Sequence, residues 1–80
     1  MKRTTIETIS DIFDVDEDVN TVMNMINYYL GENQPNAIVR FTQVIEKFTD
    51  EVPVIRTFDK YIKINYIIGF WESEYEQIPI

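Results

Sequence analysis

Neither cysteine nor histidine occurs among the 80 residues, so no disulfide and no Cys/His zinc site can staple the fold. A chain of this length buries only about 60% of the surface its unfolded form exposes. Stability therefore has to come from an apolar core or from a partner. An apolar fraction of 45%, with 14% aromatic residues, suffices for a core and argues against intrinsic disorder. A single small acidic domain over 1–80 is expected.

The same absences limit the chemistry. Histidine is the side chain that titrates near neutrality unaided, and cysteine is the strong nucleophile. Ser10 and Ser73 have no histidine to activate them, and two glycines, Gly31 and Gly69, cannot form a phosphate-cradling loop. The expectation is a protein that is not an enzyme and carries no cofactor. Fourteen carboxylates against seven Lys and Arg give a net charge of −7. Nucleic-acid phosphates would be repelled, so no direct nucleic-acid contact is expected, and a basic protein surface is the natural complement. Lys2 and Arg3 precede Thr4-Thr5-Ile6-Glu7 rather than an apolar run. No stretch reaches the roughly 20 apolar residues of a membrane span. A soluble, cytoplasmic protein is expected, in the host cell's cytoplasm if it is phage-encoded.

Apolar spacing predicts an all-α bundle of four to five short helices. Thr4 and Glu7 stand at capping-box spacing ahead of Ile6, Ile9, Ile12 and Phe13, which predicts a helix over 5–13. Val19, Val22, Met23, Ile26, Tyr29 and Leu30 predict a second over 16–30, with Asp14, Asp16, Glu17 and Asp18 at its positive end and Gly31 as its stop. Pro35 then opens a third over 35–49, whose apolar face is Ala37, Ile38, Phe41, Val44, Ile45 and Phe48.

Residues 53–78 admit two readings. A helix over 53–68 gathers Arg56, Asp59, Lys60 and Lys63 into one stripe, and Trp71, Tyr75 and Ile78 extend helical spacing over 70–78. The alternative is an α+β fold ending in a β-hairpin over 53–78, since Tyr61 to Phe70 is dense in Ile and Tyr and Ile62, Ile64 and Tyr66 alternate with Lys63 and Asn65 ahead of Ile68. A turn at Asp59-Lys60 would set Arg56 opposite Lys63, and like charges facing each other destabilise, so the helix is preferred.

Three groups are candidate contact residues. Asp14, Asp16, Asp18 and Asn20 alternate like the start of a calcium loop. Val19 stands where that loop needs Gly, however, and Met25 stands where it needs Glu, so no metal site is expected. Glu72, Glu74 and Glu76, with Trp71 and Tyr75, form a second acidic cluster. As a strand it would space its acids at about 6–7 Å on one face. The outward face of the second helix, with Asn20, Thr21, Asn24, Met25, Asn27 and Tyr28, holds no charge in a chain that is 26% charged. Interface centres are depleted in charge and enriched in Met and aromatic residues, which makes this face a third candidate.

These features imply a small acidic protein-binding module, an inhibitor or modulator occupying a basic or polar surface of a larger protein. Its partner-binding residues would be Trp71, Glu72, Glu74, Tyr75 and Glu76, then Asp14, Asp16, Glu17 and Asp18, then Asn24, Met25 and Tyr28. In being short, acidic and cysteine-free the chain resembles inhibitors made by phages and mobile elements. A short helix, an acidic turn and a longer helix over Ile6 to Leu30, with the late Phe70-Trp71-Glu72-Ser73-Glu74, resembles the head–tail connector proteins of tailed phages. That resemblance implies the alternative function, a structural subunit of an oligomeric ring.

Overall fold

The computed structural model describes residues 2–48 and 53–74. Its elements are β1 (Lys2–Thr8), β2 (Ile12–Val15), α1 (Val19–Gly31), β3 (Ile38–Phe48), β4 (Pro53–Lys63) and β5 (Ile67–Glu74), with a 3-10 turn at Ile64–Tyr66. The strands form one sheet in the order β4-β3-β2-β1-β5, and every neighbouring pair is antiparallel. This overturns the helical bundle: among the described residues the expected helix over 5–13 gives way to β1, a turn and β2, that over 35–49 to β3, and that over 53–68 to β4, the 3-10 turn and the start of β5, while the rest of β5 occupies the start of 70–78. Residues 75–78 lie outside the described residues.

Helical spacing misleads over 5–13 because it counts residues that do not share a face. Ile6 and Phe13 are buried, but Ile9 and Ile12 are 66% and 60% exposed. Thr4, Thr5, Ile6 and Thr8 are β-branched, and such side chains fit a pleated surface better than a helix. Thr4 does not cap a helix; its hydroxyl donates to the Glu17 carbonyl at 2.8 Å. The chain reverses at Thr8–Asp11, where the Thr8 amide donates to the Asp11 carbonyl and the Thr8 hydroxyl to the Asp11 carboxylate.

The alternative C-terminal hairpin is corrected as well. β4 pairs with β3 and β5 pairs with β1, so the two late strands do not pair with each other. Arg56 faces Ile45 and Lys63 faces Ile38, and the like-charge clash never arises. Pro53 opens an edge strand, one of the few strand positions that tolerates its missing N–H.

The expected helix over 16–30 is present as α1, with altered ends. Asp18 is its N-cap, accepting the Thr21 amide at 2.7 Å, so Asp14, Asp16 and Glu17 precede the helix and its first turn is free of acids. Gly31 lies inside the helix and does not stop it. Asn33 does so at φ 56°, a left-handed conformation that Asn adopts readily. Its amide donates to Leu30 and that of Gln34 to Tyr29, the paired bonds of a Schellman end.

The core lies between α1 and one face of the sheet. Ile6, Phe13, Val15, Val22, Val39, Phe41, Ile62 and Ile64 are buried together, with Met25, Ile26, Tyr29 and Phe70 packed against them. Phe70, Ile6 and Phe13 stand side by side across three strands. The opposite face carries Trp71, Thr5, Asp14, Val44 and Thr57 in one row. On that face Arg3 is 2% exposed, its guanidinium 2.9 Å from the Glu46 carboxylate.

Only Asp14 and Val15 of β2 pair with β3, so the far ends of β3 and β4 continue as a two-stranded ribbon. The molecule is accordingly elongated, 47 × 20 × 17 Å. At the other end the sheet curls until β4 meets the β1–β2 turn. There the Lys60 ammonium lies 2.8 Å from Asp11 and 4.4 Å from the centre of the Phe13 ring. Among the described residues no helix is long and apolar enough to cross a membrane.

Candidate functional site

The first acidic cluster is absorbed into the fold. Asp14 accepts the Thr5 hydroxyl at 2.6 Å on the face away from α1. Glu17 completes the ladder where β2 runs out. The Asp16 amide donates to the Thr42 carbonyl, and the Thr42 amide donates to the Glu17 carboxylate at 2.6 and 3.2 Å. A side-chain oxygen thus replaces the backbone acceptor that the departing strand no longer supplies. Asp18 is occupied as the helix cap, and that bond from Thr21 holds its carboxyl below the usual carboxylate range. Asp16 alone of the four keeps an exposed carboxylate with no bond to another described residue. Among the described residues no group of three or more acids could hold a metal ion.

The second cluster is divided by the strand it sits on. Trp71 and Glu72 are adjacent in β5, so they project from opposite faces. Trp71 stands beside Thr5 on the outer face and is 46% exposed. Glu72 stands beside Thr4 on the helix side and pairs with Lys2 at 3.3 Å. Glu74 ends β5 opposite Lys2. Tyr75 and Glu76 lie outside the described residues.

The third group forms one continuous surface. Asn20, Thr21, Asn24, Asn27 and Tyr28 are all exposed along α1, and Tyr28 is 62% exposed with its ring edge-on to Tyr29. No described element covers this side. Met25 is corrected: it turns inward against the core, and Met23, which the spacing placed on the inner face, is exposed instead. Leu30 is exposed too and extends the surface to the helix end. None of the thirteen residues of α1 is charged. The helix meets the core through Val22, Met25, Ile26 and Tyr29, spaced i, i+3, i+4, i+7. The spacing of these four shows that Met23 lies off the buried stripe, a signal present in the sequence but masked by the hydrophobicity of Met23.

A shallow cavity of about 270 Å³ opens where β4 meets the β1–β2 turn, lined among others by Ser10, Asp11, Ile38, Lys60, Tyr61 and Tyr66. Its strongest polar pair is internal. Lys60 and Thr8 both bond to Asp11, and the ammonium beside it is the main reason its carboxyl sits below the usual range.

No protein-family model, no curated protein and no solved structure matches this chain.

Proposed function

We propose that this chain is a small acidic protein-binding module, an inhibitor or modulator that covers a polar surface of a larger protein with the outward side of α1. The observation that supports it is an exposed helix without a single charge in a chain of net charge −7. Burying a charged side chain at an interface costs several kcal/mol unless it is paired, on the order of the Born penalty after relaxation. Amides and a phenol can be dehydrated at far lower cost and re-bonded to polar groups of a partner. Tyr28 supplies the large rigid anchor, Met23 and Leu30 the apolar contact, and Asn20, Asn24 and Asn27 the hydrogen bonds that fix orientation. The surrounding negative charge steers the module towards partners of net positive charge.

The immobilised protein should capture a specific protein from the cells that express it, with cross-links centred on α1. Tyr28→Ala and Asn24→Lys should each weaken that capture by roughly thirtyfold, the size of a typical hot-spot loss, while the circular dichroism spectrum stays unchanged. Capture at undiminished affinity by both variants would remove α1 from the interface and this reading with it.

A further inference from the structure

The cavity between β4 and the β1–β2 turn is framed before anything enters it. Three segments meet there, and each is tied to a neighbour. The Lys60 ammonium lies 2.8 Å from Asp11, the Ile9 amide donates to the Tyr66 carbonyl at 3.1 Å, and the Ile64 amide donates to the Ala37 carbonyl at 3.0 Å. Its volume of about 270 Å³ falls just below the roughly 300–1,000 Å³ of sites for drug-sized molecules, which suits a smaller ligand. Among the described residues no part of α1 lines it, so it is separate from the surface proposed above.

Its walls are largely apolar, and its uncommitted charge is a cation. Ile38 and Lys63 stand directly opposite each other in β3 and β4, and Tyr61, two residues before Lys63, shares their face of the sheet. Ile38, Tyr61 and Tyr66 are large and mainly apolar, yet all three are exposed. The Lys63 ammonium lies 5.5 Å from the centre of the Tyr66 ring and has no ion-pair partner among the described residues. The other charges are engaged with each other: Asp11 accepts the Thr8 hydroxyl on one oxygen and Lys60 on the other. Two lysines against one aspartate leave the lining at +1 in a chain of −7. Ser10, from the β1–β2 turn, adds an exposed hydroxyl.

This combination selects the ligand. A bare inorganic anion would leave the three exposed side chains uncovered. A neutral aromatic molecule would strip water from Lys63 without supplying a counter-charge, which is costly. A cation would meet Lys63 and find both oxygens of Asp11 taken. We propose that this cavity binds a single-ring aromatic carboxylate, with its ring against Ile38, Tyr61 and Tyr66 and its carboxylate accepting from the Lys63 ammonium and the Ser10 hydroxyl. The ring removes apolar surface from water, and the charge-assisted bonds fix which way the ligand points. Because the three segments are already tied together, little ordering is needed on binding.

Titration of the whole isotope-labelled chain with hydrocinnamate, followed through its amide NMR signals, tests the proposal. The amides of Ser10, Ile38, Tyr61 and Tyr66 should shift and saturate, with a Kd on the order of 0.1–1 mM for so small a ligand. Hydrocinnamyl alcohol has the same shape without the charge and should bind about fivefold more weakly, the worth of one partly exposed charge contact. Lys63→Gln should weaken the acid by about the same factor and leave the alcohol unchanged, a pattern that a general loss of structure would not produce. Inorganic phosphate in equal concentration should not displace the acid. Four results would each overturn the proposal: no saturable shift with the acid, an alcohol that binds as tightly as the acid, a Lys63→Gln protein with a folded spectrum that binds the acid undiminished, or displacement by phosphate. The comparison of acid with alcohol uses the unaltered chain and so stands whatever the variant does.

Discussion

β1 and β4 differ in a direction opposite to their hydrophobicity. β1 carries one large apolar residue, Ile6, yet Arg3, Thr4, Thr5, Ile6 and Thr8 are all buried. β4 carries Val54, Ile55, Phe58, Tyr61 and Ile62, and of these only Ile62 is buried. The cause is position in the sheet. β1 lies between β2 and β5, under the helix on one face and beside the Arg3–Glu46 pair on the other, whereas β4 is an edge. Apolar surface drives collapse, but which apolar residues end up covered depends on how many neighbours the topology supplies.

The contrast can be broken most forcefully through the apolar residues. Ile6→Ala, in the centre of the core, should cost about 3 kcal/mol by the loss of a buried side chain and the cavity left behind. Phe58→Ala removes a larger side chain, but one 47% exposed on the edge, and should cost less than about 1 kcal/mol. Urea unfolding midpoints of the two proteins decide it, and equal losses would mean that β4 is not an edge in solution.

The ion pairs give a smaller separation of the same kind. Glu46→Gln removes the carboxylate facing a guanidinium that is almost wholly enclosed and should cost about 3 kcal/mol at most, the lower end for breaking a buried pair. Asp59→Asn breaks the Arg40–Asp59 pair, in which both side chains are more than half exposed, and should change stability by under about 1 kcal/mol. Thermal unfolding at two salt concentrations sharpens the comparison, because only the Asp59 effect should fade as salt rises.

The smallest expected effect is in the acid limb of stability. Asp11 and Asp18 both have carboxyls held below the ordinary value of 3.8, by Lys60 and by the helix amide of Thr21 respectively. A depressed folded-state pKa contributes stability that is present above the unfolded value and is lost as pH falls through the folded one. Stability should therefore decline below about pH 4, and Asp11→Asn and Asp18→Asn should each flatten that decline. Unchanged pH dependence in both variants would show that neither contact persists in solution.

Legibility of the fold follows the number of neighbours too. α1 is readable because a helix makes its own hydrogen bonds and shows one stripe to the core, so Val22, Ile26 and Tyr29 recur at its period, although the acids ahead of it draw its expected start to 16, before the Asp18 cap. Its uncharged side is readable for the same reason, although Met23 and Met25 exchange places. The strands are not. β3 buries Val39 and Phe41 on one face and Val44 on the other, which erases the alternation that marks a half-buried strand and leaves a spacing that mimics a helix. The second acidic cluster reads as a strand only in the alternative fold, and on β5 Trp71 and Glu72 point to opposite sides.

Composition and spacing by themselves determined that this chain has no covalent or zinc staple, that it is strongly acidic, and that one segment would form a helix with a neutral side. Those are properties of residues and their near neighbours. Only the tertiary structure decided that a segment with one isoleucine would run through the centre of the sheet, and that an aromatic-rich one would become its rim. Strand pairing joins residues as distant as Lys2 and Glu74, and the free energy of such a pair resides in neither segment until both are side by side.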